Sequence, residues 1–175
     1  MSEIIIRNLR ETDAVNLVKY GDNKKIWDNM RDYFPHPYKP EDAVSFINLI
    51  LGKEPITTFA ISYNDQLIGI IGYNLQTDIY SHTAEIGYWL AEPFWGKGFI
   101  LKAIKLAIEH AFSVTDIKRL YTSVFEHNIA SVKVLEKAGF VYEGKGIKAV
   151  VKNGEYYNDL RYALLNPKYF PLTNQ

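Results

Sequence analysis

A turn with two glycines, Trp95-Gly96-Lys97-Gly98-Phe99-Ile100, stands between an alternating segment and an amphipathic run, and its residue types suit the binding of an anion. The N–H groups that open a helix lack intrahelical partners and carry the positive end of the macrodipole. Glycines there let a phosphate approach the main chain closely. The same spacing serves a plain tight turn, and the turn alone does not choose between the two. A second stretch, Tyr33-Phe34-Pro35-His36-Pro37-Tyr38-Lys39-Pro40, gathers aromatic side chains where proline forbids a helix or a central strand. Its aromatics either line the mouth of a pocket or pin a loop to the core.

Composition narrows the chemistry. The chain has no cysteine, which removes disulfides, thiolate metal sites and cysteine nucleophiles. Lys+Arg and Asp+Glu stand at 20 each, so the basic excess of a general nucleic-acid or membrane-surface binder is missing. At 175 residues and 47% hydrophobic, the chain suits one ordered domain, 1–175, with 166–175 as a surface tail. The N-terminus lacks the pattern of a signal peptide, and no apolar run approaches the length of a spanning helix. The expectation is a soluble, cytoplasmic protein.

The elements that must position the turn follow from periodicity. Residues 3–9, with three consecutive isoleucines, read as a buried first strand, and Thr12-Asp13 as the cap of a helix carrying Ala14, Leu17, Val18 and Tyr20. A short helical stretch holds Ile26, Trp27 and Met30. An amphipathic helix runs from Glu41 and stops at Gly52. Residues 57–63 and 66–74 are strands joined at Asn64-Asp65. Residues 84–90 form another strand, with Ile86, Tyr88 and Leu90 on one face and Glu85, Gly87 and Trp89 on the other. After the glycine turn, Ile100, Ala103, Ile104, Ala107, Ile108 and Ala111 make the buried stripe of a helix packed on a sheet. Residues 119–125 are a strand and 128–138 a helix, capped by Asn128 and ended by Gly139. Residues 140–151 and 155–165 form a hairpin around Asn153-Gly154. The order β-α-α-β-β-β-α-β-α-β-β predicts an α/β fold with a mixed sheet of about six to seven strands and about four to five helices.

Several fragments, in this order and spacing, resemble the GNAT superfamily of acyl-CoA-dependent N-acyltransferases, above all the branch that acetylates the N-terminal alanine or serine of ribosomal proteins. They are residues 7–13, the run from Pro37-Tyr38 to Phe46, residues 84–90, Phe94-Trp95-Gly96-Lys97-Gly98, Asn128-Ile129-Ala130-Ser131, residues 136–140, Tyr157-Asn158-Asp159 and Tyr162-Ala163-Leu164. The resemblance implies a sheet splayed in the middle and acetyl-CoA as co-substrate, with no metal. It implies that the pantetheine arm pairs with Trp89, Leu90 and Ala91 like an added strand. The pyrophosphate would lie on Gly96, Lys97, Gly98, Phe99 and Ile100. Asn128 would bond the arm, and Lys137 would approach the phosphates. Capping and a solvated helix face account for the last two equally simply.

The chain also departs from the family pattern. Against Q/R-x-x-G-x-G/A, Trp95 takes the first position, Gly98 the central glycine and Ile100 the final small residue. Leu101 and Lys102 replace a hydroxyl residue and a glutamate, and Lys102 would add charge to the cradle if it points inward. For catalysis, Ser131 stands where the ribosomal-protein branch places a serine near the sulfur, and helix capping is its other reading. The tyrosine used elsewhere in the family is Leu135. Two glutamates that act as bases in relatives are replaced by Val150 and Ser123. Glu85 is the remaining candidate base, with a structural salt bridge as its alternative. Glu126, His127, Tyr142 and a water relay stand behind it.

The implied function is N-acetylation of a primary amine, with a protein N-terminal α-amine among the acceptors. Trp27, Tyr33, Phe34, Tyr38, Tyr156 and Tyr157 would shape the acceptor pocket. A small-amine acetyltransferase for a polyamine, amino acid or aminoglycoside is the neighbouring reading. A non-catalytic acyl-CoA sensor is the rival from another class. The protein would act as a monomer or homodimer, without nucleic acid or membrane.

Overall fold

Two dipeptides with left-handed backbone set hairpins of the sheet. In the computed structural model, which describes residues 3–171, Asn64 and Asp65 have φ of 51° and 61°, and Asn153 and Gly154 have 54° and 79°. Positive φ at both central residues is what a two-residue hairpin turn of type I′ requires. Around them run β1 (Ile5–Arg7), α1 (Ala14–Gly21), α2 (Lys24–Trp27), α3 (Pro40–Ile50), β2 (Thr58–Tyr63), β3 (Gln66–Leu75), β4 (Thr83–Leu90), α4 (Phe99–Val114), β5 (Arg119–Phe125), α5 (Ile129–Lys137), β6 (Val141–Lys152) and β7 (Glu155–Leu165). The fold is α/β. Its seven strands form one sheet in the order β1-β2-β3-β4-β5-β7-β6. β1, β2 and β3 pair antiparallel, as do β5, β7 and β6, while β4 and β5 are parallel, so the sheet is mixed. Among the described residues, no helix is long and apolar enough to cross a membrane.

The described residues divide into two compact units. The first holds residues 3–72 and 88–106. Its core gathers Leu9, Leu17, Ile26, Phe34, Tyr38, Ala43, Ile47, Ala60, Leu67, Ile70 and Trp89. β1 departs from expectation. It is three residues long and lies at the sheet's edge, and Ile5 is 47% exposed because only β2 flanks it. Three helices separate β1 from β2, one for each helical stretch read in the sequence, and Met30 lies beyond α2.

Asp13 does not cap α1 with its side chain. Instead residues 11–13 form a 3-10 turn, and Asp13 Oδ2 accepts from the Arg10 N–H at 2.8 Å. Arg7 donates through both guanidinium nitrogens to the two Asp13 oxygens, each at 2.8 Å. Burial pushes the Asp13 carboxyl up, but the hydrogen bonds and charge of Arg7, with the Arg10 N–H, outweigh it and hold the group below the usual range. Asp13→Ala would leave the part-buried Arg7 without its counter-ion. It should destabilise the protein by about 3–5 kcal/mol in chemical denaturation, since breaking a buried pair exposes the desolvation cost of the survivor.

The second unit holds residues 73–87 and 107–171. Its buried side chains include Tyr73, Ala84, Ile86, Ala107, Ala111, Leu120, Val124, Leu135, Phe140 and Tyr162. The β4–β5 register runs from Thr83–Arg119 to Glu85–Tyr121. β6 closes this side of the sheet as an edge strand, with register shifts between Tyr142 and Gly144 and between Gly146 and Val150. Ile147, within the second shift, is 77% exposed. Of the expected surface tail, Asn166 is instead buried and its N–H donates to the Lys118 carbonyl at 2.8 Å. Residues 167–171 are exposed, and residues 172–175 lie outside the described part.

Tyr73 and His110 share a hydrogen bond of 2.9 Å between the phenol and Nδ1. Burial raises Tyr73 to about 12 and lowers His110 from 6.5. A histidine depressed on folding binds fewer protons in the native than in the unfolded state. Its stabilising contribution is therefore complete above about pH 6.5 and is lost as pH falls through the folded value. Denaturation measured at about pH 7.5 and about pH 5 should show this loss, and His110→Gln should flatten the slope over that window.

Candidate active site

The main chain of β4 has two sides. Ala91 N–H donates to the Ile68 carbonyl at 2.8 Å, and Gln76 N–H donates to the Thr83 carbonyl at 3.0 Å, so β4 runs antiparallel to β3. Residues of a strand alternate their hydrogen-bonding side. By this alternation the Ala91 N–H points toward β3 and the main chain of Leu90 points away, while the Ala91 carbonyl accepts from the Phe94 N–H at 2.9 Å. The Ala91 N–H is thus paired within the sheet, and Leu90 turns its main chain to the other side. Trp89 instead serves the core, with its ring centroid 5.9 Å from that of Phe34. A Cβ at Gly69 would fall 2.4 Å from the Trp89 carbonyl oxygen, so β3 and β4 meet here only because residue 69 has no side chain.

After β4 a 3-10 turn, Glu92–Phe94, leads into the glycine loop. Gly96 and Gly98 have φ of 73° and 75°, and a Cβ built on either would have no neighbour within 4 Å. The loop is thus open above both glycines and demands a conformation that glycine adopts without penalty. Lys102 N–H closes the first turn of α4 on the Gly98 carbonyl at 3.2 Å, which leaves the N–H groups of Phe99, Ile100 and Leu101 at the helix head without intrahelical acceptors. These features fit a bound phosphate. Lys102 does not point into the loop: its ammonium pairs with Glu3 at 2.5 Å. Lys97 lies 5.5 Å over the Phe94 ring. Beneath, Phe94 packs with Tyr20, Tyr63 and Phe99 at centroid distances of 5.9–6.3 Å, and Phe99 lies 5.0 Å from Tyr63. This aromatic bed was not legible in the sequence, because its members come from four separate segments.

The proline-rich loop resolves its two readings residue by residue. Phe34 and Tyr38 pin it to the core, and burial lifts the Tyr38 phenol to about 12. Tyr33 is 77% exposed. Trp27 stacks on His36 at 5.4 Å, and His36 Nδ1 lies 3.3 Å from Asp22 Oδ1.

In the second unit, Glu85 is half-buried and stands opposite Tyr121 in the register. Tyr121, Ser123 and Phe125 share its face by strand alternation. Asn128 Oδ1 accepts from the Ser131 N–H at 3.1 Å, so the capping reading of Asn128 holds, and its amide nitrogen is the part left for a ligand. Lys137 is exposed in the last turn of α5, and Leu135 is buried in the core. Tyr157 stacks on Phe125 at 6.3 Å and meets His127 edge-on at 4.6 Å, whereas Tyr156 is exposed. Tyr142 packs edge-on against Tyr162 at 5.5 Å.

One contact escaped the sequence reading. Asn158 Nδ2 donates to Glu126 Oε2 at 2.7 Å, and its Oδ1 accepts from the Lys148 N–H at 2.8 Å. It thereby ties the loop before α5 to both strands of the β6–β7 hairpin. The Asn158 amide holds the Glu126 carboxyl below the usual range, which makes it a weaker base.

The family model described as an acetyltransferase (GNAT) domain matches residues 3–141. The chain belongs to the GNAT acetyltransferase family. It is 36% identical to the probable N-acetyltransferase YjcK of Bacillus subtilis over 94% of each chain. It is 35% identical to the ribosomal-protein-serine acetyltransferase of Escherichia coli over 101 residues, 58% of this chain and 53% of that one. Among solved structures, it is similar to the microcin C7 self-immunity acetyltransferase MccE in complex with acetyl-CoA and AMP. That match has a TM-score of 0.80 and 27% identity over 94% of this chain and 93% of that one. This member of the family is an acetyl-CoA-dependent N-acetyltransferase.

The close approach at Gly69 offers a test that leaves every candidate side chain in place. Gly69→Ala forces backbone apart at the end of β4, and overpacking of this kind costs about 1–3 kcal/mol. Calorimetry should show both a lower melting temperature and weaker CoA binding.

Proposed function

We propose that this acetyltransferase acts on a primary amine, with the α-amine of a protein N-terminus as its acceptor. The observation that carries the reading is Ser131, at the head of α5, with its N–H held by Asn128. This bond holds the main chain of Ser131, and from the position of the serine in the ribosomal-protein branch its hydroxyl can protonate a leaving thiolate. The similarity to the ribosomal-protein-serine acetyltransferase supports the choice of acceptor.

The phosphates of acetyl-CoA lie on the N–H groups from Gly96 to Ile100, and the pantetheine arm follows the outward main chain of β4 at Leu90. That β4 registers with β5 over Thr83–Glu85 and then continues to Leu90 supports this course. The acceptor arrives as an ammonium, and Glu85 takes its proton, directly or through water. The amine nitrogen then bonds to the thioester carbon. The carbonyl oxygen becomes an oxyanion, with the Leu90 N–H as its donor. Collapse of this intermediate breaks the C–S bond; the Ser131 hydroxyl protonates the thiolate and recovers its proton, directly or through water, from the nitrogen, which gives CoA and the neutral acetylated amine.

Release of CoA thiol with a panel of acceptors tests the function. Peptides that begin with Ser or Ala should turn over faster than spermidine, free amino acids or an aminoglycoside. A preference for one of those would reassign the acceptor, and CoA binding with no turnover on any of them would overturn the reading. Glu85→Gln should lower kcat by about 10²-fold or more and remove its acidic limb, while the Kd for CoA stays within about twofold. An unchanged pH profile would remove Glu85 as the base.

A further inference from the structure

The first position of the glycine loop carries a contact that its sequence does not announce. The Trp95 indole Nε1 donates to the Leu90 carbonyl oxygen at 2.6 Å, although the residue as a whole is 43% exposed. The Leu90–Ala91 peptide group is thus held at both ends, by Trp95 through its oxygen and by the Ile68 carbonyl through its N–H. Trp95 N–H itself donates to the Glu92 carbonyl at 3.1 Å, which closes the 3-10 turn between them. The next residues, Gly96 and Gly98, are the two with left-handed backbone. The two glycines of the loop bring no side chain, and apart from Lys97 over the Phe94 ring its orientation rests on the bonds at its base.

We propose that Trp95 is a positioning residue for the acetyl-CoA loop: its indole N–H ties the base of the glycine turn to the last carbonyl of β4. The turn and the outward main chain of Leu90 are thereby fixed in one frame. The pyrophosphate and the pantetheine arm are parts of one molecule, and each must find its own donors without straining the other. Without the tie, the loop samples orientations in which only one end of the ligand is satisfied, and affinity falls by the populated fraction. The polarised Leu90 carbonyl keeps a second lone pair for an amide N–H of the arm. This inference rests on the reading of residues 96–100 as the CoA loop.

The test compares Trp95→Phe, Trp95→Gln and Gly98→Val by calorimetry with CoA, alongside the melting temperature and KM for acetyl-CoA and for the amine. Phenylalanine keeps an aromatic ring and loses the donor. Glutamine loses the ring but carries an amide nitrogen at the same bond distance from Cα as the indole nitrogen. Trp95→Phe should raise Kd for CoA by about tenfold, the effect of one hydrogen bond on a binding equilibrium, and raise KM for acetyl-CoA but not for the amine. Trp95→Gln should recover affinity to within about threefold of the parent. A merely structural role would lower the melting temperature in both variants and would not be rescued by glutamine. Trp95→Phe binding CoA within about twofold of the parent while Gly98→Val loses binding would overturn the role of Trp95 and leave the loop assignment standing. Retained CoA binding by Gly98→Val would overturn the loop assignment, and the role of Trp95 with it.

Discussion

Every peptide group near the end of β4 must find a partner, and the alternation of the strand decides which partner that is. β3 satisfies the Ala91 N–H, and the bare Cα of Gly69 lets the two strands approach this closely. The group at Leu90 is turned the other way by the same geometry. The site depends on this division, because an outward N–H and carbonyl at a strand end are a template for an extended, amide-bearing ligand. Shifting the register by one residue would present Trp89 and Ala91 instead and send the Trp89 ring out of the core.

Much of this was readable from residue types. Asn64-Asp65 and Asn153-Gly154 signal their hairpins because few residues accept positive φ. The stripe on α4 follows from the burial of Ala103, Ile104, Ala107 and Ala111. The two glycines of the loop and the capping by Asn128 were equally plain. The failures share a cause, which is that a partner's identity is fixed by tertiary approach. Three isoleucines suggested a buried strand, yet β1 lies at an edge and exposes Ile5. Lys102 looked available to phosphate, but Glu3, distant in sequence, takes its charge. Trp95 looked like a departure from a Gln or Arg position. Its indole nevertheless carries an N–H at the ε position, as those two side chains do, and uses it on a main-chain oxygen.

The charged contacts of the first unit show a common pattern. Arg7 with Asp13, Lys25 with Glu92 and Lys102 with Glu3 each join segments that the chain must bring together around the sheet's first edge and the loop. Only the first is buried enough to be costly when broken. The other two are exposed, and salt weakens such pairs. The entrance to the loop therefore has charges that can exchange partners at little cost, above a fixed hydrogen-bonded and aromatic base.

Among the described residues, β6 ends the sheet with a long row of peptide groups that has no further strand beside it. Such a row invites a second chain to continue the sheet, and a chain of copies could grow from it. The two register shifts along β6 interrupt the even spacing that an incoming strand would need, and the exposed Lys145 and Lys148 add like charge along its length. The irregularity of this strand thus works against continuation of the sheet by an incoming edge.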